Sequence, residues 1–252
     1  MVMTKVYKGL PLRECEILRY AGCRTEEEEI VRLMRTCLQE AERAGVLNGQ
    51  LCYAELPLTV KVVPSCQKET DAIEPSDGTE VICDFDSFSV YSRQLAKNLQ
   101  ECNKVLLLAA TAGVGIDRLI AKYGRIAPSK ALMFQAIGAE LVEAVCDIFS
   151  KEYEKERNCI LRPRFSPGYG DLPLEVQKNI FAVLDCAKKI GLTLNDSLLM
   201  SPSKSVTAFA GIMTGASEGT VETGKCEEKS KCANCEKRGC AYRGESWISK
   251  HI

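Results

Sequence analysis

Arg162-Pro163-Arg164-Phe165-Ser166-Pro167-Gly168-Tyr169-Gly170-Asp171 joins a charged helix end to the next amphipathic run. Two prolines fix φ locally, while Gly168 and Gly170 let the backbone come close to a ligand. An arginine here can pair in a bidentate manner with a carboxylate, and the tyrosine beside it offers a flat face and a hydroxyl. Taken alone, the stretch is also what a plain connector looks like, since Pro and Gly punctuate elements.

Immediately upstream, Ala131 to about Glu156 repeats apolar residues at helical spacing (Leu132, Ile137, Leu141, Val145, Ile148), which predicts one long amphipathic helix. Downstream, Leu174 to Ile190 reads as a single helix stopped by Gly191, and Ser205 to Met213 as a late strand. Farther back, Lys104 to Ala110 is a buried strand by its unbroken apolar run, with a short helix at Ile116 to Tyr123 and another at Ser92 to Cys102. Glu80 to Tyr91 reads as a strand after a turn-rich gap, Ile73 to Thr79. Leu51 to Val63 reads as strand, bend at Pro57 and strand, closed by Pro64. A capping box of Thr25 and Glu28 opens a helix that runs to Gly45, and Glu26 to Glu29 complement its dipole. Strands and helices are mixed without strict alternation, so the expected class is α+β.

With 252 residues the chain can bury one large core, or one core and a smaller lobe. Its net charge of -1 argues against a general nucleic-acid or membrane-surface binder. The longest apolar run, Val105 to Ile116, is too short to span a bilayer as a helix, and MVMTKVYKG lacks the features of a secretory signal, so a soluble, cytoplasmic protein is expected. Ten of the fourteen cysteines are scattered singly from Cys15 to Cys186, which suits reduced core thiols. The sole histidine, His251, cannot support a central Ser-His-Asp site. The glycine pair Gly113 and Gly115 lacks the third glycine of a dinucleotide fingerprint, because position 118 is arginine, and is read as a tight strand-to-helix turn.

Arg164-x-x-x-Gly168-Tyr169 resembles the Arg-x-x-x-Gly-Tyr motif of the activation domain of cobalamin-dependent methionine synthase. Ile17 to Tyr20, Thr111 to Asp117, Ala136 to Glu143, Ile190 to Leu194 and Met200 to Val206 are similar to other segments of that family, in the same order. The resemblance covers about residues 10 to 215. It implies a mixed or antiparallel twisted sheet with flanking helices over 1–215, with 1–100 a possible N-terminal α/β lobe, and S-adenosylmethionine as the bound methyl donor. By the resemblance, Arg164 holds the methionyl carboxylate, Glu143 attracts the amino group, and Phe165, Gly168 and Tyr169 shape the pocket. No histidine loop for cobalamin is present, so cobalamin is expected on a separate methionine synthase core, with a flavodoxin- or ferredoxin-like protein as electron donor. The methyl group then passes to reduced cobalamin by in-line displacement, for which positioning suffices.

Near Gly215 the composition changes to Gly, Ser, Thr, Lys and Cys, marking a tail at 216–252. Cys226, Cys232, Cys235 and Cys240 are separated by five, two and four residues, a spacing that points to a metal centre, either an iron-sulfur cluster or zinc. The gaps differ from the three-and-two pattern of radical enzymes that cleave S-adenosylmethionine. Two other functions stay open at this point: a client other than methionine synthase among the corrinoid methyltransferases, and a redox scaffold built on the four cysteines.

Overall fold

The computed structural model describes residues 1–23, 27–64 and 79–213. Its centre is Lys104–Thr111 (β6), whose apolar run is buried on both faces because the strand lies in the middle of a sheet covered on both sides. Its neighbours are Asn48–Pro57 (β2) and Ser205–Met213 (β10), with Met3–Lys8 (β1) and Ile160–Leu161 (β7) at the edges, and every pairing is antiparallel. The fold is thus α+β with an antiparallel sheet, which removes the parallel β-α-β unit that a dinucleotide site requires.

Alternation along the strands separates two cores. Leu51, Tyr53, Leu106, Leu108, Ala208 and Ala210 face the helical layer of Glu14–Tyr20 (α1), Glu28–Arg43 (α2), Val114–Ile126 (α4) and Pro128–Arg157 (α5). Cys52, Ala54, Leu107, Ala109 and Phe209 face a second layer. That layer holds Arg93–Asn98 (α3), Val176–Leu184 (α6), Cys186–Ile190 (α7) and a small sheet of Thr59–Pro64 (β3), Thr79–Asp84 (β4) and Ser89–Tyr91 (β5). A short hairpin, Thr193–Leu194 (β8) with Met200–Ser201 (β9), precedes β10.

Several expectations are corrected. Helix α2 starts at Glu28 with Glu27 as its N-cap and no side-chain cap bond; Thr25, assigned to a capping box, lies outside the described residues. The strand at Glu80 to Tyr91 is two strands, because Asp86 takes a left-handed φ of 62° in the turn between them. The helix at Leu174 to Ile190 is broken where Asp185 adopts φ 49° and ψ 47°, and α7 starts after it. Leu132, placed on the apolar face of α5, is 54% exposed. The first strand and helix, β1 and α1, were not anticipated. The strand-bend-strand at Pro57 and the turn at Gly113 (φ 75°), which leads from β6 into α4, are as expected.

Among the described residues, no helix is long and apolar enough to cross a membrane. The described cysteines are free, and six of them, including Cys37, Cys52 and Cys83, are buried. Burial pushes the thiols of Cys37 and Cys83 up to about 11, so they stay protonated and unreactive at neutral pH.

Candidate functional site

Helix α5 carries Glu140, Glu143 and Asp147 at spacings of three and four residues, which puts all three carboxylates on one face. That face looks toward the edge of the main sheet. There the chain leaving α5 pairs β7 with β10 and continues along it: the N–H of Arg162 donates to Gly211 O at 2.8 Å. Phe165 and Phe209 exchange backbone bonds of 2.8 and 2.9 Å. Backbone bonds at Arg162 and at Phe165 therefore hold the segment that follows β7 against β10.

Phe165 and Arg164 send their side chains to opposite sides of the sheet. Phe165 packs against the second core with Phe209, while Arg164 reaches α5. There the Arg164 Nη2 donates to Glu143 Oε2 and to Asp147 Oδ1, each at 2.7 Å, and its side chain is only 14% exposed. Burial by itself would lower the affinity of this guanidinium for its proton. The carboxylates of Glu143 and Asp147 outweigh that and push it up, so Arg164 stays charged.

A second arginine completes the cluster. Arg13, the N-cap residue of α1, grips Glu140 through Nε at 2.9 Å, Nη2 at 3.3 Å and its backbone N–H at 3.3 Å, while the same Nη2 lies 3.6 Å from Asp147 Oδ2. Glu140 is fully buried. The five groups thus run Glu140, Arg13, Asp147, Arg164, Glu143, with three carboxylates against two guanidiniums. Tyr20 at the end of α1 borders the cluster; burial raises its phenol first, and the charge of Glu143 raises it further.

Beyond Arg164 the chain turns at Gly168 (φ 87°), where the N–H of Gly168 donates to Leu172 O at 2.9 Å and that of Leu172 to Tyr169 O at 3.0 Å. The Tyr169 ring is 68% exposed. Asp171 clips this turn to the start of α3: it accepts from the backbone N–H groups of Arg93 (2.7 Å) and Gln94 (3.2 Å) and from the hydroxyl of Ser92, itself the helix cap. Desolvation works against its charge, but the three donors win and hold its carboxyl below the usual range.

The structure thus brings Arg164 and Glu143 together, sets Gly168 and Tyr169 in the turn that follows, and sends the Phe165 ring to the far side of the sheet. The sequence reading missed Asp147, Glu140, Arg13 and Asp171. Asp147 had a signal, being four residues beyond Glu143 on the same helix; Arg13 had none, since the fold alone carries it there. Cys226, Cys232, Cys235 and Cys240 lie outside the described residues, and no group of three or more potential metal ligands occurs among the described ones.

A cavity of about 650 Å³ lies elsewhere, between α6, α7 and the β8–β9 hairpin, lined by residues such as Lys178, Phe181, Cys186 and Leu194. None of the motif residues lines it. The charged cluster is the stronger candidate site, since convergent ionic groups specify a ligand where open volume does not.

Residues 93–229 match the family model of the vitamin B12-dependent methionine synthase activation domain. The chain belongs to this family. The matched span includes the three α5 carboxylates, Arg164 and the turn to Asp171, whereas Arg13 precedes it. Among solved structures, this activation-domain chain is similar to the MetH reactivation domain bound to AdoHcy. Identity is 15%, covering 87% of this chain and 80% of that one with a TM-score of 0.54, which establishes a shared fold. No curated protein matches the chain.

Proposed function

We propose that this activation-domain chain binds S-adenosylmethionine at the Arg164 cluster and acts as a stand-alone reactivation component for a cobalamin-dependent methionine synthase carried on another chain. The observation that carries the reading is the pairing of Arg164 with Glu143 and Asp147 inside the family-matched span. The solved relative is described as bound to AdoHcy, the demethylated form of that donor.

The charge pattern suits the ligand. S-adenosylmethionine carries a carboxylate, an ammonium and a sulfonium, an excess of one positive charge, against a cluster with one more carboxylate than guanidinium. In this reading Arg164 takes the ligand carboxylate, and Glu143, released from it, faces the ammonium. Gly168 and Tyr169 line the approach, and Phe165, bonded through its backbone to Phe209, anchors the segment that carries Arg164.

Moving a methyl group from a sulfonium to a strong nucleophile releases a neutral thioether and transfers no proton, so the chain needs no general base. Its task is to hold the methyl group toward the partner. Cobalamin bound by the partner, once reduced, supplies the nucleophile, and a flavodoxin- or ferredoxin-like protein supplies the electron. The tail cysteines Cys226, Cys232, Cys235 and Cys240 hold a metal centre, with an iron-sulfur cluster the form their three short gaps favour over zinc.

The direct test mixes the protein anaerobically with a cob(II)alamin-loaded synthase, a reductant and S-adenosylmethionine. The expected result is methylcobalamin, seen by absorbance, in amounts that depend on this chain. Equal formation without the chain contradicts the proposal.

A further inference from the structure

We propose that Arg13 is a positioning residue that sets how readily Arg164 exchanges a protein carboxylate for the carboxylate of its ligand. This rests on the reading of the Arg164 cluster given above and adds a residue outside the family-matched span.

Both carboxylates held by Arg164 sit on one nitrogen, Nη2, at 2.7 Å. An incoming carboxylate has to displace at least one of them. An aspartate released into a part-buried site without a cation would repel the ligand carboxylate and be drawn back to the arginine. Asp147 is not in that position, because its other oxygen, Oδ2, already lies 3.6 Å from the Arg13 Nη2. Arg13 in turn is fixed by three contacts to Glu140, whose full burial makes their loss costly. Yet its side chain is 43% exposed, leaving it room to close the 3.6 Å gap as Asp147 turns away from Arg164. Arg13 therefore serves as the waiting partner for Asp147, and the exchange at Arg164 proceeds without leaving an uncompensated charge.

Without Arg13, Asp147 has one cation to hold, and the cluster becomes more negative where a carboxylate must enter. The effect falls on ligands that carry a carboxylate and spares those that lack it. A purely structural role for Arg13 would weaken both kinds alike.

The test titrates S-adenosylmethionine and decarboxylated S-adenosylmethionine into the full chain and into Arg13→Gln and Arg13→Lys. Arg13→Ala/Glu140→Gln, which removes the buried carboxylate together with its partner, serves if Arg13→Gln does not fold. The neutral variants should bind S-adenosylmethionine roughly tenfold more weakly, a typical size for coupling within one charge network. They should bind the decarboxylated ligand as the wild type does, and Arg13→Lys should keep the wild-type ratio of affinities. An equal loss for both ligands, or no change for either, overturns the proposal while leaving the reading of the site intact. A wild-type chain that binds no S-adenosylmethionine overturns the underlying reading and the proposal with it.

Discussion

Arg164 Nη2 lies 2.7 Å from Glu143 Oε2, so the residue proposed to take the ligand carboxylate is bonded to the residue proposed to face its ammonium. In the proposed reading the two charged ends of the ligand replace this pairing, one at Arg164 and the other at Glu143. Glu143→Gln should therefore weaken S-adenosylmethionine about tenfold, the loss of one charge-assisted contact of ~1.4 kcal/mol. Glu143 is a quarter exposed and Arg164 keeps Asp147, so the melting temperature should shift little. Calorimetric titration beside a thermal melt checks both.

Asp171 ties the motif turn to α3, and its pKa is depressed in the folded state. A depressed carboxyl adds stability above its unfolded pKa, near the ordinary 3.8, and loses it as pH falls through the lower folded value. Asp171→Asn should cost about 1 kcal/mol at neutral pH, as the loss of a helix-capping group does. The difference from wild type should shrink as pH drops below about 4, the ordinary aspartate range. Urea melts at pH 7 and at pH 3 measure it, and a constant difference would rule out the ionised cap as its source.

Gly168 sits at φ 87°, where a side chain is strained, and an added Cβ would also press on Leu174 Cδ1 at 3.3 Å. Leu174 can give way, so the backbone dominates. Gly168→Ala should destabilise the fold by about 1–2 kcal/mol. It should also lower S-adenosylmethionine affinity severalfold, because Tyr169 moves with the turn. Unchanged affinity in a destabilised variant would detach Tyr169 from the site.

The cysteine tail should act independently of the Arg164 cluster. Protein purified without oxygen should contain iron and sulfide. Replacing Cys226, Cys232, Cys235 and Cys240 together by serine should abolish both and leave the S-adenosylmethionine titration unchanged. Stoichiometric zinc with no iron would exclude the cluster.

How far the sequence could be read depended on how far each signal was local. Strand β6 and helix α5 were legible because a continuous apolar run and a 3.6-residue repeat each imply one kind of burial. The break at Asp185 was not, since no Gly or Pro marks it and aspartate merely tolerates the left-handed conformation. Strand β1 is an edge with half-buried alternation, including Val6 at 63% exposed, and it gains its identity from pairing with β2. At the site, Arg164 stood out through its flanking prolines and glycines. Its second carboxylate follows from helical geometry, but Arg13 joins the cluster across more than a hundred residues and only the folded chain shows it.

In the proposed function a single mostly buried arginine, Arg164, recognises the amino-acid end of S-adenosylmethionine. Titrating that ligand into the full chain and into Arg164→Ala, with a thermal melt of each, tests it most directly. The wild type should bind it saturably and the variant at least roughly thirtyfold more weakly, as expected for a charged contact of ~2 kcal/mol or more, with the fold retained. Equal affinity in a folded Arg164→Ala chain, or no saturable binding by the wild type, would contradict this role of Arg164.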